Sequence, residues 1–261
     1  MRSQLIAAGV SLICFILGAG IALTASYGTQ LSWWDYETGL RLLAPGAVLG
    51  IAGAASGGLW LTRALRGNDS AGWKFGALGL AGSLLLAGIP LNQARLYLIS
   101  PPIHEVSTDV EYPPPFVALL PLRGAAENGP EYDGMKLIDY GGRRTHTAAA
   151  QKKAYPDIKP FVALLNPRQS SDVDPQKILF WRGFELAKRL GWNIVAFDEH
   201  EGTMEATHTS LWFGQVADIA IRVKPAGKIG ARLDIRAKTR NGQSDMGATA
   251  ALVRGYLKAL K

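Results

Sequence analysis

Hydrophobic and polar positions divide the chain into two regimes. Residues 3–34, 42–62 and 75–94 carry no charged side chain. Each run meets the roughly 20 residues that an α-helix, rising about 1.5 Å per residue, needs to cross a bilayer core. Three transmembrane helices are the direct reading. A cleaved signal peptide competes for the first run, because Met1 and Arg2 form a small basic start and Ala25 ends a candidate cleavage box. Small residues recur every fourth position: Gly18, Ala22 and Ser26, then Gly46, Gly50, Ala54 and Gly58, then Gly79, Ser83 and Ala87. Such stripes let helix backbones approach closely. Lysine and arginine favour cytoplasmic loops, and Arg63, Arg66 and Lys74 lie between the second and third runs. The N-terminus is therefore expected inside and the C-terminal region outside. Trp33, Trp34 and Tyr36 at one boundary and Trp60 and Trp73 at the other suit interfacial anchoring.

Beyond residue 95 the pattern changes. Residues 101–119 are punctuated by prolines, which fix their own φ and hold their predecessors out of the helical region, so an extended strap is expected, followed by mostly loop to residue 160. Asp174-Pro175 then signals a helix start, and Phe180, Gly183, Phe184, Ala187 and Leu190 follow helical spacing up to Gly191. Residues 192–238 break into strands of period two: Ile219, Ile221 and Val223 oppose Arg222 and Lys224, and Ala231, Leu233, Ile235 and Ala237 oppose Arg232, Asp234, Arg236 and Lys238. Ser244 is expected to cap a last helix in which Met246, Ala250, Val253, Leu257 and Leu260 share a face. The predicted class is α+β: three N-terminal transmembrane helices (residues 1–95), a strap and loop (96–160), and a two-layer domain of about four antiparallel strands packed with two helices (161–261).

Composition refines this picture. Six of the 28 Lys and Arg and three of the 21 Asp and Glu precede residue 96, leaving 22 against 18 beyond it. That mild excess is too small for a nucleic-acid interface. The single cysteine, Cys14, lies in the first apolar run, so the outer region has neither a disulfide nor a thiol nucleophile.

The alternation places Arg222, Lys224, Arg232 and Arg236, with Arg240, on one expected outward face, a candidate grip for an anion through guanidinium forks. Ser244, Asp245 and Gly247 are expected to form a structural corner, the serine hydroxyl and the carboxylate meeting the helix start themselves and Asp245 pairing with Arg240 and Arg236. His104 with Asp109 is the weak catalytic candidate, joined by Asp218 or Asp245 if the strap folds back; it would serve an envelope hydrolase or metal-dependent enzyme. Asp198 to Glu201 reads as a solvated hairpin end, His208 as a half-buried histidine and His146 as exposed loop.

Four blocks, "IHEVSTDVEYPPPFVAL", "AYPDIKP", "LWFGQVADIAIRV" and "IRAKTRNGQSDMGATA", resemble in order the bacterial domain-of-unknown-function family 1499 across residues 103–261. The family pattern has Arg-Ser where Arg236-Ala237 stand, Ser-Arg at Thr239-Arg240, a glycine at Gly242 and Ser-Asp-x-Gly at Ser244, Asp245 and Gly247. Where this chain has Ala217-Asp218 the family often has two aspartates, and loss of the first weakens a metal site there. The resemblance implies the fold and a membrane setting, and no particular reaction. The expectation is therefore a non-enzymatic inner-membrane protein whose periplasmic domain binds an anionic lipid or glycan, needing neither metal nor cofactor. Its expected partners are membrane lipids, that envelope ligand, and copies of itself or subunits of a membrane complex; the alternative, which the small-residue stripes allow, is a purely structural subunit of such a complex.

Overall fold

The computed structural model describes residues 2–67, 72–124, 126–164 and 174–261. Contacts divide the chain into two compact units, Met1–Leu98 with Trp212–Gly214, and Ile99–Leu211 with Gln215–Lys261.

The first unit is built from α1 (Arg2–Gln30), α2 (Tyr36–Arg66) and α3 (Trp73–Ile99). All three are long and apolar enough to cross a membrane. Asp35 starts α2 from an extended backbone, its carboxylate accepting from the Thr38 amide at 2.7 Å. Outward positions such as Ile13, Leu17, Leu84 and Leu85 stay exposed, as suits an apolar solvent. Inward positions are small. A Cβ added at Gly50 would stand 2.8 Å from the Ala87 amide nitrogen, and one at Gly79 2.6 Å from that of Leu12, so the backbones pass too closely for any side chain. Ser11 Oγ donates to the Gly53 carbonyl at 2.8 Å and Ser56 Oγ to that of Ala7 at 2.9 Å. In the second half of α2 the buried small residues are Gly53 and Gly57, followed by Trp60; the two glycines stand one residue before the expected Ala54 and Gly58, because three- and four-residue steps alternate on a 3.6-residue helix.

The second unit is α+β. Among the described residues, β1 (Glu105–Ser107), β4 (Phe161–Leu164), β5 (Asn193–Asp198), β6 (Thr203–Thr209), β7 (Val216–Pro225) and β8 (Gly230–Thr239) form one sheet in the order β1-β8-β7-β6-β5, with β4 also on β8. Every pairing is antiparallel. The sheet therefore exceeds the four strands expected. The two extra strands are three and four residues long, too short for a period to be read. They share one edge of β8, with β4 opposite Gly230–Leu233 and β1 opposite Arg236–Lys238. The outer edge of β1 is closed by a side chain: Gln151 accepts from the Ser107 amide at 3.0 Å and donates to its carbonyl at 2.7 Å, as a neighbouring strand would.

One sheet face is apolar. Ile219, Ile221, Val223, Leu233 and Ile235 are at most 2% exposed and form one core with α5 (Pro175–Arg189) and α6 (Ala248–Ala259). Asp174 caps α5 and Pro175 opens it, while Gly191, at φ +74°, follows its end. The two helices meet at Gly183, where a Cβ would stand 2.5 Å from the Tyr256 hydroxyl. Trp192 stacks on Tyr256 with ring centroids 4.9 Å apart.

The stretch expected as loop holds a hairpin, β2 (Leu137–Tyr140) and β3 (Arg143–His146), followed by α4 (Thr147–Ala154). Its turn residues Gly141 and Gly142 have φ +61° and +73°, the paired left-handed geometry that a two-residue hairpin turn requires.

Candidate functional site

The opposite face of the same sheet carries charge. Alternation along β7 and β8 points Asp218, Arg222, Arg232, Asp234, Arg236 and Lys238 away from the helices, as the sequence predicts. They do not face solvent, however. The strap and the segment after it, residues 108–124 and 126–134, lie across them, and Asp218, Asp234, Arg236 and Lys238 are 0–3% exposed. The strap provides the polar partners that buried charges need.

Three ionic nodes result. In the first, Arg236 Nε donates to Glu105, while its Nη1 and Nη2 reach the carbonyls of Pro114 (3.3 Å) and Pro130 (2.7 Å). The guanidinium lies 4.2 Å from the Phe116 ring centre and 5.7 Å from that of Tyr132. Lys238 Nζ donates to the Glu131 carbonyl (2.6 Å) and Asp133 (2.8 Å) and lies 3.4 Å from Glu105. Burial pushes the Asp133 carboxyl up, but hydrogen bonds from Lys238 and His104 outweigh it and hold the group below its ordinary range. In the second node Asp218, fully buried, takes Arg123 on one side and Arg240 on the other, the latter through Nε at 3.1 Å and Nη2 at 2.8 Å. Burial is the main pull on the Arg123 guanidinium, and it is downward. In the third, Asp234 and Asp109 accept from Arg232, both at 2.9 Å, and stand 3.5 Å from Arg222. The hydrogen bond to Asp234 leads in holding Arg232 more firmly charged.

Glu205 completes the layer. Its two oxygens accept from the backbone amides of Val117, Ala118 and Leu119 at 2.9–3.0 Å, a nest of consecutive N–H groups closing on a carboxylate. The layer thus holds six cations (Arg123, Arg222, Arg232, Arg236, Lys238, Arg240) and six carboxylates (Glu105, Asp109, Asp133, Glu205, Asp218, Asp234).

Several expectations are corrected by this geometry. Arg232, Arg236 and Arg240 each already hold a carboxylate and Arg222 lies beside two, while Lys224 alone of the five is exposed at the strand end. His104 and Asp109 belong to different nodes: His104 Nε2 meets Asp133 at 2.9 Å, whereas Asp109 meets Arg232. Asp245 pairs with neither Arg240 nor Arg236, whose partners are Asp218 and Glu105.

The corner also closes differently. The residue preceding α6 is Gly247 at φ +84°, and Asp245, three positions before the helix, accepts from the amides of Gly247 (2.8 Å) and Thr249 (3.0 Å) and from the Thr249 hydroxyl. Ser244 Oγ accepts only from the Met246 amide at 3.3 Å. Burial raises the Asp245 carboxyl. The helix start is satisfied internally, which leaves no cradle for an anion.

His104 with Asp133 has the distance of an imidazole oriented by a carboxylate. Its Nδ1 faces the Gln243 carbonyl at 3.4 Å, and the adjoining cavity of about 20 Å³ is the size of one water. His208 is half-buried, and burial lowers its pKa. His146 is exposed and meets the Met135 carbonyl at 2.8 Å. Asp198 accepts from the amides of His200 and Glu201 at the exposed hairpin end.

Five exposed cations lie on the lobe that sequence reading took for loop. Lys136, Arg143, Arg144, Lys152 and Lys153 are all exposed, and none has an ion-pair partner among the described residues. Residues 135–154 contain one acid, Asp139. The lobe therefore carries +4, equal to the whole excess of 22 cations over 18 anions beyond residue 95. The signal that could have found it is Gly141-Gly142 between two short alternating runs.

No curated protein matches the chain. A family model matches residues 106–260, spanning β1 to the end of α6 and so both sheet faces and the basic lobe, and the chain belongs to that family, described as a protein of unknown function, DUF1499.

Proposed function

We propose that this protein is a non-enzymatic binding module anchored in the bacterial inner membrane, with its C-terminal domain periplasmic, and that the domain holds an anionic envelope component through the basic lobe. The lysine and arginine distribution of the loops supports the orientation. The observation that carries the binding reading is the separation of charge: the buried cations of the sheet face are held by carboxylates beside them, whereas the five cations of the lobe are exposed and have no ion-pair partner among the described residues. Lys152 and Lys153 occupy the last turn of α4, where they complement the helix dipole. Met135 and Leu137, 77% and 50% exposed, give the lobe apolar contacts beside its charges. Lipid is the nearest abundant polyanion, since the same chain carries the three apolar helices and is held at high local concentration beside a bilayer. Each Lys or Arg near an anionic surface contributes about 1 kcal/mol. An acidic glycan would offer the same anionic oxygens.

The test compares the detergent-solubilised full chain with Arg143→Ala/Arg144→Ala/Lys152→Ala/Lys153→Ala. Co-purifying anionic phospholipid, read by mass spectrometry, falls in the variant if lipid is the ligand. Loss of retention on heparin, with lipid unchanged, identifies a glycan. If both remain as in the wild type, the reading is wrong.

A further inference from the structure

The turn between β6 and β7 is apolar where hairpin tips usually carry small polar side chains. It reads Leu211-Trp212-Phe213-Gly214. Its backbone closes without help from the apolar side chains: the Ser210 amide donates to the Gln215 carbonyl and the Gln215 amide to Ser210 Oγ, both at 2.9 Å, and Gly214 turns the chain at φ +62°. Leu211 is nevertheless 89% exposed and Trp212 53%. So much apolar area in one short turn is unfavourable in water and marks a contact surface.

The packing of the turn identifies what it meets. Trp212–Gly214 belongs to the unit of the three apolar helices. The Trp212 carbonyl accepts from Ser26 Oγ and, at 2.7 Å, from Gln30 Nε2, both near the end of α1. The Phe213 ring meets that of Tyr36, the first residue of α2, edge to face with centroids 5.9 Å apart. The helix ends thus hold the turn by a backbone carbonyl and by Phe213, while the side chains of Leu211 and Trp212 stay exposed. The depth of this point follows from the helices. A Cβ added at Gly39 would stand 3.4 Å from the Ala25 carbonyl, and one at Gly18 3.1 Å from that of Gly46, so α1 and α2 run antiparallel with Ala25 level with Gly39. Exposed Glu37 and Arg41, ion-paired at 3.2 Å, flank that level, and the uncharged residues 42–62 begin just beyond it. Ser26, Gln30 and Tyr36 therefore lie where charged side chains give way to an apolar run. In a bilayer this is the interfacial zone, which suits tryptophan because its ring is apolar and its N–H polar.

We propose that Leu211 and Trp212 form a membrane-interface anchor: the turn lays these two side chains into the headgroup zone of the bilayer that the three helices cross. The contact is made by apolar area and needs no anionic lipid. It rests on the membrane setting of the helices and is independent of the basic lobe.

The experiment uses the full chain in nanodiscs of zwitterionic phosphatidylcholine. Cys14 is the only cysteine, so Cys14→Ala provides a background that takes one label wherever a cysteine is added. Leu211→Cys carries the environment-sensitive fluorophore NBD, and Lys228→Cys, in the exposed turn between β7 and β8, carries the control. Quenching is read with nitroxide lipids, labelled near the headgroup or at the chain end, and with iodide in the buffer. The fluorophore at the Leu211 site is expected to be blue-shifted, quenched most by the headgroup-level nitroxide, and quenched about fivefold less by iodide than the control. Adding Trp212→Ser is expected to raise iodide quenching at the Leu211 site about twofold. High salt and the lobe substitutions described above are expected to leave the signal unchanged, so either contact can fail without the other. Equal iodide quenching at the two sites would overturn the proposal, as would no response to Trp212→Ser. A fluorophore shielded from iodide and from both nitroxides would also overturn it, because a protein surface would then cover the turn in place of lipid.

Discussion

The two faces of the six-stranded sheet are both buried at their centres and chemically opposite. On one, Ile219, Ile221, Val223, Leu233 and Ile235 pack against two helices; on the other, Asp218, Asp234, Arg236 and Lys238 pack against a strap of irregular backbone. The apolar face gains roughly 25 cal/mol for each Å² removed from water, whatever atoms cover it. The charged face gains little net energy, since desolvation offsets most of the Coulomb attraction. What it contributes is selectivity. Arg236 donates to the carbonyls of Pro114 and Pro130, Arg240 to that of Leu122 and Arg123 to that of Asn128, and these bonds determine where a segment with little regular secondary structure runs. The difference also separates two sets of arginine: those of the sheet face are held by the strap and its carboxylates, whereas Arg143 and Arg144 on the hairpin are exposed.

The sharpest way to break this comparison is to remove one charge. Asp218→Ala leaves Arg123 and Arg240 facing each other without a carboxylate, and is expected to cost about 3–5 kcal/mol, read as a shift in the urea midpoint of the detergent-solubilised chain. On the other face, Leu233→Ala is expected to cost about 3 kcal/mol in the same assay, because the core around a fully buried side chain collapses only partly. If the aspartate proves the milder loss, water reaches the charged layer and its strict partnering is not needed. Gln151→Leu tests the sheet edge where the faces meet. It leaves the Ser107 amide and carbonyl without their side-chain partner and is expected to cost about 1–2 kcal/mol, with faster hydrogen exchange confined to β1.

Sequence reading recovered the two faces unequally. The apolar one was legible because it repeats: period two in β7 and β8 and helical spacing in α5 and α6 are local signals, and the three apolar runs needed only length. The polar assignment of Arg232, Asp234, Arg236 and Lys238 was equally local, and correct. Their burial was not local. Glu105 and Arg236 are 131 residues apart, and Arg123 and Asp218 are 95 apart, so no spacing within a strand says that a proline-rich segment will return to cover them. The short strands β1 and β4 form because β8 offers an edge, not because their own residues demand it. At the corner, Ser244 looked like the cap because its type favours that position, but Gly247 can adopt the left-handed backbone, which moves the helix start three residues on and leaves Asp245 to answer the first amides.

The smallest expected effect separates the faces by pH. His208 follows Met204 and Ala206 on the helix side of β6 and is half-buried, and burial lowers its pKa below the ordinary 6.5. The folded state therefore favours the neutral ring, its contribution is complete above pH 6.5, and stability declines as pH falls from 6.5 through the lowered value. Asp133, on the charged side, is also lowered, from 3.8, with Lys238 and His104 prevailing over burial. Its contribution is present above pH 3.8 and is lost only as pH falls below that value. Unfolding midpoints followed downward from pH 7 should thus show a shallow loss beginning near 6.5, absent in His208→Gln, and a separate loss below 3.8, smaller in Asp133→Asn, with Asp157 and Asp198, also lowered by their hydrogen bonds, supplying the rest. A first loss that survives in His208→Gln would mean that the apolar face does not hold this ring neutral, and that the mild-acid sensitivity belongs to the charged layer instead.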